Sequence, residues 1–177
     1  SMVFTGSVAT GRKVGALAGE HLIPCSLELG GKDAAIVLED ADQDHAALGI
    51  AQWSMFNSGQ DCSSIERVYV LESIADGFVE KLGRAISKLN VYDGTNEAEL
   101  GPLQNARQLA LVREHLEDAW GKGARTVCGG EATSVGHGHQ PTLLDHCSHE
   151  MRVMTEETFG PVVAVCRVKS AEEALER

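Results

Sequence analysis

The sequence is poor in basic residues and in long apolar runs, and it has no paired cysteine motif. Its 15 lysines and arginines stand against 26 aspartates and glutamates, for a formal net charge of −11. This charge argues against a nucleic acid or an anionic membrane as a partner. No apolar stretch approaches the roughly 20 residues that span a bilayer. The five cysteines include no C-x-x-C pair and follow no secretory signal, so we expect free thiols and a cytoplasmic protein.

Aromatic residues make up only 5% of the 177 residues, so a core is expected to rest on Val, Leu, Ile and Ala. The length suits one domain, or one domain with a piece of another. Short β-branched runs alternate with helical stretches, which predicts an α/β fold with a mostly parallel sheet flanked by helices. The predicted strands are 26–29, 34–38, 67–71, 126–128 and 161–168, and the predicted helices are 7–21, 42–56, 73–89, 105–121 and 171–177.

The segment F-N-S-G-Q-D-C at 56–62 lies between a predicted helix and a predicted strand. Gly59 allows a sharp turn, so Cys62 is expected at the rim of a loop that faces a cleft. A partly exposed thiolate there would be a strong nucleophile. From these residues alone, the alternative that Cys62 is a small buried apolar side chain stays open.

The segment L-E-L-G-G-K at 27–32 places a carboxylate, Glu28, inside an apolar strand end. Burial of such a carboxylate is unfavourable unless the group is paired with a cation, reached by solvent or used in catalysis. Glu28 is therefore a candidate base near neutral pH. Pairing of Glu28 with Lys32 is the structural alternative.

Two further segments are candidate ligand contacts. F-T-G-S at 4–7 precedes a predicted helix, whose first N–H groups suit a phosphate, although it lacks G-x-G-x-x-G and, taken alone, favours an ordinary N-cap at Ser7. E-E-T-F-G-P at 156–161 places an acidic pair beside an aromatic residue before a strand, and its alternative is a solvated turn.

Four histidines, His137, His139, His146 and His149, cluster near the end of the chain. Their spacing fits no zinc pattern with a cysteine pair. They are interpreted as loop histidines, and no metal site is predicted.

Taken together and in order, these motifs resemble those of the aldehyde dehydrogenase superfamily, which carries F-T-G-S, E-L-G-G-K, N-x-G-Q-x-C, G-P-L and E-E-x-F-G-P. They stand here at 4–7, 28–32, 57–62, 101–103 and 156–161. Glu28 lies 34 residues before Cys62, a spacing that also matches the family, and Q-P-T at 140–142 falls where the family begins a strand. The resemblance spans nearly the whole chain and implies the fold of that family's catalytic domain.

The resemblance implies a catalytic pair. Cys62 would attack a small-molecule aldehyde to give a thiohemiacetal and then a thioester, and Glu28 would activate the water that releases the acid. The presence of Glu28 favours the hydrolytic reaction, because members that transfer the acyl group elsewhere commonly lack it.

The resemblance also implies that NAD or NADP is the cofactor, with Gly6, Ser7, Leu29, Glu157 and Phe159 in contact with it. Gly6 and Ser7 would lie at the pyrophosphate, Glu157 at the nicotinamide ribose, and Phe159 beside the nicotinamide.

The family's chain is far longer than this one. Residues 1–29 are interpreted as the last piece of the cofactor-binding domain, and residues 30–177 as most of the catalytic domain, truncated at its C-terminal end. Little activity is expected from the 177 residues alone, and exposed apolar surface predicts a homo-oligomer. Two other functions stay open: a non-catalytic structural or interaction domain that retains the fold, and a cofactor-independent thiol esterase.

Overall fold

The computed structural model describes all residues 1–177, which form two compact units, Ser1–Gly31 and Lys32–Arg177. In the first unit, strand β1 (Met2–Gly6) and strand β2 (Cys25–Leu29) pair in parallel through helix α1 (Val8–Glu20). The predicted cap is confirmed, because the Ser7 side chain accepts a hydrogen bond from the Thr10 N–H at 3.3 Å.

The second unit contains a five-stranded sheet with one antiparallel edge strand. Its order is β3-β4-β7-β6-β5, in which only β5 runs antiparallel to its neighbour. The strands are β3 (Asp33–Val37), β4 (Ile65–Leu71), β5 (Arg125–Cys128), β6 (Thr142–Asp145) and β7 (Val162–Val168). The predicted α/β fold with a mostly parallel sheet is confirmed.

Five helices accompany this sheet: α2 (Gln43–Met55), α3 (Ala75–Ile86), α4 (Ala106–Gly121), α5 (Arg152–Thr155) and α6 (Ala171–Glu176). Asp42 caps α2 as predicted, by accepting from the N–H groups of Asp44 and His45. None of the helices has the length and apolar character that a membrane-spanning segment requires.

The two faces of the sheet bury separate cores. Successive side chains of a strand point to opposite faces, so Val163 and Val165 of β7 join the core with α2 and α3, whereas Ala164 joins the core with α4 and α5. Phe78 of α3 and Leu116 of α4 are fully buried anchors of these two layers. Helices on both faces explain why the strands are short apolar runs.

Most element predictions are confirmed within two or three residues. The predicted helix 73–89 is too long at both ends, since Ile74 and Leu89 pack on the core from outside the helix. The residue pattern alone missed α5, whereas β6 begins at Thr142, where the family resemblance places a strand.

Candidate active site

Cys62 lies on a loop with three consecutive residues in the left-handed region of φ. After α2 ends, the chain makes a 3-10 turn at Phe56–Gly59, where Asn57, Ser58 and Gly59 have φ values of 50°, 58° and 70°. Non-glycine residues adopt this conformation at a cost and need surroundings that hold them. We refer to residues 56–62 as the cysteine loop.

Hydrogen bonds hold the cysteine loop in shape. The Asn57 side chain donates to the Gln60 carbonyl at 3.0 Å, and the Gln60 side chain donates back to the Asn57 carbonyl at 3.1 Å. Ser58 Oγ donates to the Gly101 carbonyl at 2.8 Å, and Gln60 Oε1 accepts from the Gln104 N–H at 2.8 Å. The predicted G-P-L motif therefore lies directly against the cysteine loop.

Gly59 is required by a close approach as well as by its φ. A Cβ added to Gly59 would lie 2.0 Å from the Gly160 carbonyl oxygen. The backbone of the E-E-T-F-G-P segment thus runs against the cysteine loop, which brings together three of the motifs found in the sequence.

The Cys62 side chain is exposed, so the alternative of a buried apolar cysteine is wrong. The Asp61 carboxylate accepts from the Ser63 N–H at 2.7 Å and closes a turn around Cys62. The Cys62 N–H itself donates to no acceptor of the chain. The exposed Cys62 thiol therefore lies beside a backbone N–H that has no acceptor within the chain.

The other four cysteines are less accessible. Cys25 and Cys128 are half-buried, and Cys147 and Cys166 are buried. Burial raises the pKa of Cys147 to about 12 and also raises the pKa of Cys166, which makes both thiols poor nucleophiles.

The segment 156–161 contains the two residues predicted to meet the cofactor from this unit. Glu157 and Phe159 are both half-buried, and Phe159 has a φ of 49°. A Cβ on Gly160 would lie 2.4 Å from Val112 of α4. Because the segment is packed between the cysteine loop and α4, the alternative of a freely solvated turn does not describe it.

The main structural support of this segment is Glu66, which the sequence reasoning missed. Glu66 lies in β4 and is 3% exposed. Its carboxylate accepts from the N–H groups of Thr158 and Phe159 and forms an ion pair with the Lys32 ammonium. Lys32, which the structural alternative paired with Glu28, thus forms its ion pair with Glu66.

A buried histidine lies on the other side of Thr158. The Thr158 hydroxyl accepts from Lys32 at 3.2 Å, and a lysine can only donate, so the hydroxyl hydrogen is available to Nδ1 of His115 at 3.1 Å. His115 is fully buried, and Glu156 lies 3.6 Å from its Nε2. Burial, together with the charges of Arg152 and Lys32, lowers the pKa of His115 to about 4.

In the first unit, the predicted residues lie at the ends of the two strands. Gly6 ends β1 opposite Leu29, which ends β2, and Thr5 lies opposite Glu28. Glu28 is exposed and Leu29 is half-buried. The first turn of α1, which begins after Ser7, contains no acidic residue, so the positive end of its helix dipole is not neutralised.

The four clustered histidines all lie outside helices and strands, as predicted. His139 is nevertheless buried, with Nδ1 2.8 Å from the Gln140 carbonyl oxygen, and His149 Nε2 lies 2.7 Å from the Tyr69 hydroxyl. No group of three or more His, Cys, Asp or Glu side chains in residues 1–177 is arranged to hold a metal ion.

Comparison with known proteins gives a family match over the full chain. The aldehyde dehydrogenase family model matches residues 1–177. The NADP(+) succinate-semialdehyde dehydrogenase GabD of Escherichia coli is 41% identical over 174 residues, which are 97% of this chain and 36% of GabD.

Solved structures of aldehyde dehydrogenases also match this chain in fold. The lactaldehyde dehydrogenase of Escherichia coli superposes with a TM-score of 0.94 at 41% identity, over 99% of this chain and 38% of that chain. An NAD+ complex of the aldehyde dehydrogenase of Bacillus cereus gives 0.92 at 36% identity, over 98% and 36%. The chain spans little more than a third of the length of these relatives. Because the family model covers every residue and the fold matches at this identity, the chain belongs to the aldehyde dehydrogenase family.

Proposed function

We propose that the chain is the cysteine-bearing segment of a longer NAD(P)-dependent aldehyde dehydrogenase (the parent protein), which oxidises an aldehyde to a carboxylic acid. The observation that carries this proposal is Cys62: it is the one exposed thiol of the chain, and its strained loop is packed against the segment of Glu157 and Phe159. The segment's length relative to its relatives supports the longer parent.

In the proposed reaction, the Cys62 thiolate attacks the aldehyde carbonyl carbon, and a C–S bond forms as the carbonyl oxygen becomes an alkoxide. The unused Cys62 N–H is available to donate a hydrogen bond to this oxyanion. The bound dinucleotide supplies the acceptor for the hydride that leaves the same carbon, and a Cys62 thioester remains. Glu28 then takes a proton from a water molecule, whose oxygen displaces the Cys62 sulfur and releases the acid.

The residues of the first unit fit a dinucleotide phosphate. The N-terminal turn of α1 is capped by Ser7 at the Thr10 N–H, it has no acidic side chain, and Gly6 and Ser7 immediately precede it. These features suit a pyrophosphate. In the second unit, the half-buried Glu157 and Phe159 are the proposed contacts to the nicotinamide ribose and ring. Leu29 is proposed to lie against the cofactor from the end of β2.

We propose that residues 1–29 end the cofactor-binding domain and that residues 30–177 form most of the catalytic domain. The boundary between the two compact units at Gly31 and Lys32 supports this division.

Both NAD and NADP are proposed as candidate cofactors, because the named relatives include an NADP(+) enzyme and an NAD+ complex. The relatives named above include a succinate-semialdehyde dehydrogenase and a lactaldehyde dehydrogenase, so the proposed substrate is an aldehyde as a class. A cytoplasmic homo-oligomer is proposed for the parent protein, and sedimentation that shows only monomer would contradict the oligomer.

The test is Cys62→Ala in the parent protein, with Cys128→Ala as a matched control at a half-buried cysteine. We expect Cys62→Ala to abolish aldehyde-dependent NAD(P)H formation at 340 nm, while Cys128→Ala retains it. Unchanged activity of Cys62→Ala would support the alternative of a non-catalytic domain.

The exposure of Cys62 also supports a second candidate, a cofactor-independent thiol esterase. Hydrolysis of nitrophenyl acetate that requires both Cys62 and Glu28, in a protein with no dehydrogenase turnover at any NAD(P) concentration, would favour this function over the first.

A further inference from the structure

The main chain of Thr158 and Phe159 is satisfied by two side chains instead of a neighbouring strand. The N–H groups donate to Glu66 at 2.9 and 2.7 Å, and the carbonyl oxygens accept from Gln108 Nε2 at 2.7 and 3.0 Å. Strand β7 begins only at Val162, so no sheet ladder reaches these two residues. Their position therefore depends on Glu66 and Gln108.

Glu66 is the costlier of the two side chains to bury. An ionised carboxylate that is 3% exposed is unfavourable unless its lone pairs are used. Here they accept two backbone N–H groups and the ammonium of Lys32, whose side chain is 10% exposed. Removal of Glu66 would leave both N–H groups without an acceptor and the buried ammonium of Lys32 with only the Thr158 hydroxyl as an acceptor.

The conformation that Glu66 holds is a rare one. Phe159 has a φ of 49°, which is uncommon for an aromatic residue and persists only where the surroundings enforce it. Glu157 and Phe159 flank Thr158 in the chain, so the directions of their side chains follow from the peptide units that Glu66 binds. The same peptide units lead into Gly160, against which the cysteine loop packs.

We propose that Glu66, held by Lys32, is a positioning residue that sets where Glu157 and Phe159 meet the nicotinamide half of the cofactor. The cofactor part of this proposal rests on the proposed dehydrogenase function. The structural part, that Glu66 holds the main chain of residues 158 and 159, concerns this chain alone. Glu66 touches neither the substrate nor the reacting atoms; it acts through the main chain of residues 158 and 159.

The structural part is tested by amide hydrogen exchange on the 177-residue chain. Glu66→Gln replaces one carboxylate oxygen with an amide NH2 group, which can only donate. The substitution also removes the negative charge with which the Lys32 ammonium forms its ion pair. We expect the amides of Thr158 and Phe159 to exchange about tenfold faster or more, as loss of a buried acceptor predicts. Glu80→Gln on the exposed face of α3 is the matched control and should leave both amides unchanged. Unchanged protection in Glu66→Gln would overturn the proposal.

A double variant separates positioning from burial of charge. Lys32→Met with Glu66→Met removes both charges and replaces them with apolar side chains of similar length, a change that buried ion pairs often tolerate. We expect this variant to keep the exchange protection of the β7 core while the amides of Thr158 and Phe159 stay fast. Restored protection of these two amides would mean that the pair serves only to neutralise charge, and would overturn the proposal.

The functional part is tested in the parent protein with NAD+ and NADP+. We expect the double variant to raise the KM for the dinucleotide by about tenfold or more, whereas the control Glu80→Gln should leave this KM unchanged. An active wild type with an unchanged dinucleotide KM in the variant would overturn the positioning role alone. A wild type that neither binds nor uses a dinucleotide would instead overturn the proposed function and, with it, the cofactor part of this inference.

Discussion

Individual side chains in this chain differ in reactivity because of where the fold places them. Cys62 is exposed on a strained loop, whereas Cys147 and Cys166 lie in the core of the sheet and have raised pKa values. Burial lowers the pKa of a basic group instead, because it disfavours the charged form, and it does so for His115. Accessibility and desolvation, which a sequence does not display, thus separate residues of the same type.

For the thiols, we expect an electrophile such as iodoacetamide to label Cys62 first on the 177-residue chain. Cys25 and Cys128 should follow more slowly, and Cys147 and Cys166 should react last because they are buried and protonated. Peptide mass spectrometry over a time course measures the five rates. Equal labelling of all five thiols would contradict the assignment of Cys62 as the nucleophile.

For His115, we expect a loss of stability in mild acid. Its pKa of about 4 in the folded chain lies below the ordinary value of 6.5, so the folded state binds this proton less readily than the unfolded state does. The stabilisation is therefore fully present above pH 6.5 and is lost as the pH falls toward 4, by about 3 kcal/mol.

The measurement for His115 is the free energy of unfolding by urea at pH 7 and pH 4.5. His115→Asn should reduce the difference between the two pH values, whereas His21→Asn, at an exposed position, should leave it unchanged. The lowered pKa values of His139 and His149 add to the same trend, so the comparison between variants is the decisive one. An equal loss in wild type and His115→Asn would contradict the prediction.

At the scale of secondary-structure elements, the candidate site depends on segments between the regular elements. The cysteine loop follows α2, and the 156–161 segment precedes β7. Neither forms a sheet ladder, so side chains such as Asn57 and Gln108 satisfy backbone groups there. The cysteine loop and the 156–161 segment, which are distant in the chain, pack against one another where Gly59 meets the Gly160 carbonyl.

For the cysteine loop, we expect Gly59→Ala to destabilise the chain by about 2 kcal/mol or more, because φ is left-handed and the new Cβ would meet the Gly160 carbonyl. Gly49→Ala is the matched control. It lies inside α2 with no atom near its Cβ position, so it should stabilise by up to about 1 kcal/mol. Urea unfolding measures both changes. Equal effects of the two substitutions would show that the contact with Gly160 does not constrain the loop.

At the scale of the whole molecule, the chain spans little more than a third of the length of its relatives. We propose that the parent protein supplies further site residues, such as a second oxyanion donor, from segments outside these 177 residues. One preorganised oxyanion donor is worth roughly 3–4 kcal/mol in the transition state. This chain can therefore fold without having the complete catalytic site.

For the whole chain, we expect the 177 residues alone to form little or no NAD(P)H from a panel of aldehydes. Absorbance at 340 nm measures this, and the parent protein is the positive control. Robust turnover by the 177-residue chain would contradict the proposed division of the site between this segment and the rest of the parent protein.

Local signals account for the parts of the structure that were predictable. The Asp42 cap and the Ser7 cap depend on residues two or three positions apart, and both form as expected. The apolar runs of β4 and β7 are readable because both faces of the sheet are covered. The short helix α5 was missed because its four residues give too little periodicity.

The sequence by itself determined the order of the elements, the mostly parallel sheet and, through the family motifs, the position of Cys62 as the candidate nucleophile. Only the tertiary structure decided that Cys62 is exposed, that Gly59 contacts Gly160, and that Glu66 binds Lys32 and the main chain of residue 158. The physical reason is distance along the chain. Caps and periodic apolar faces arise from neighbouring residues, whereas the burial of a charge and the close approach of two backbones depend on partners 34 to about 100 positions apart, which come together only when the sheet forms.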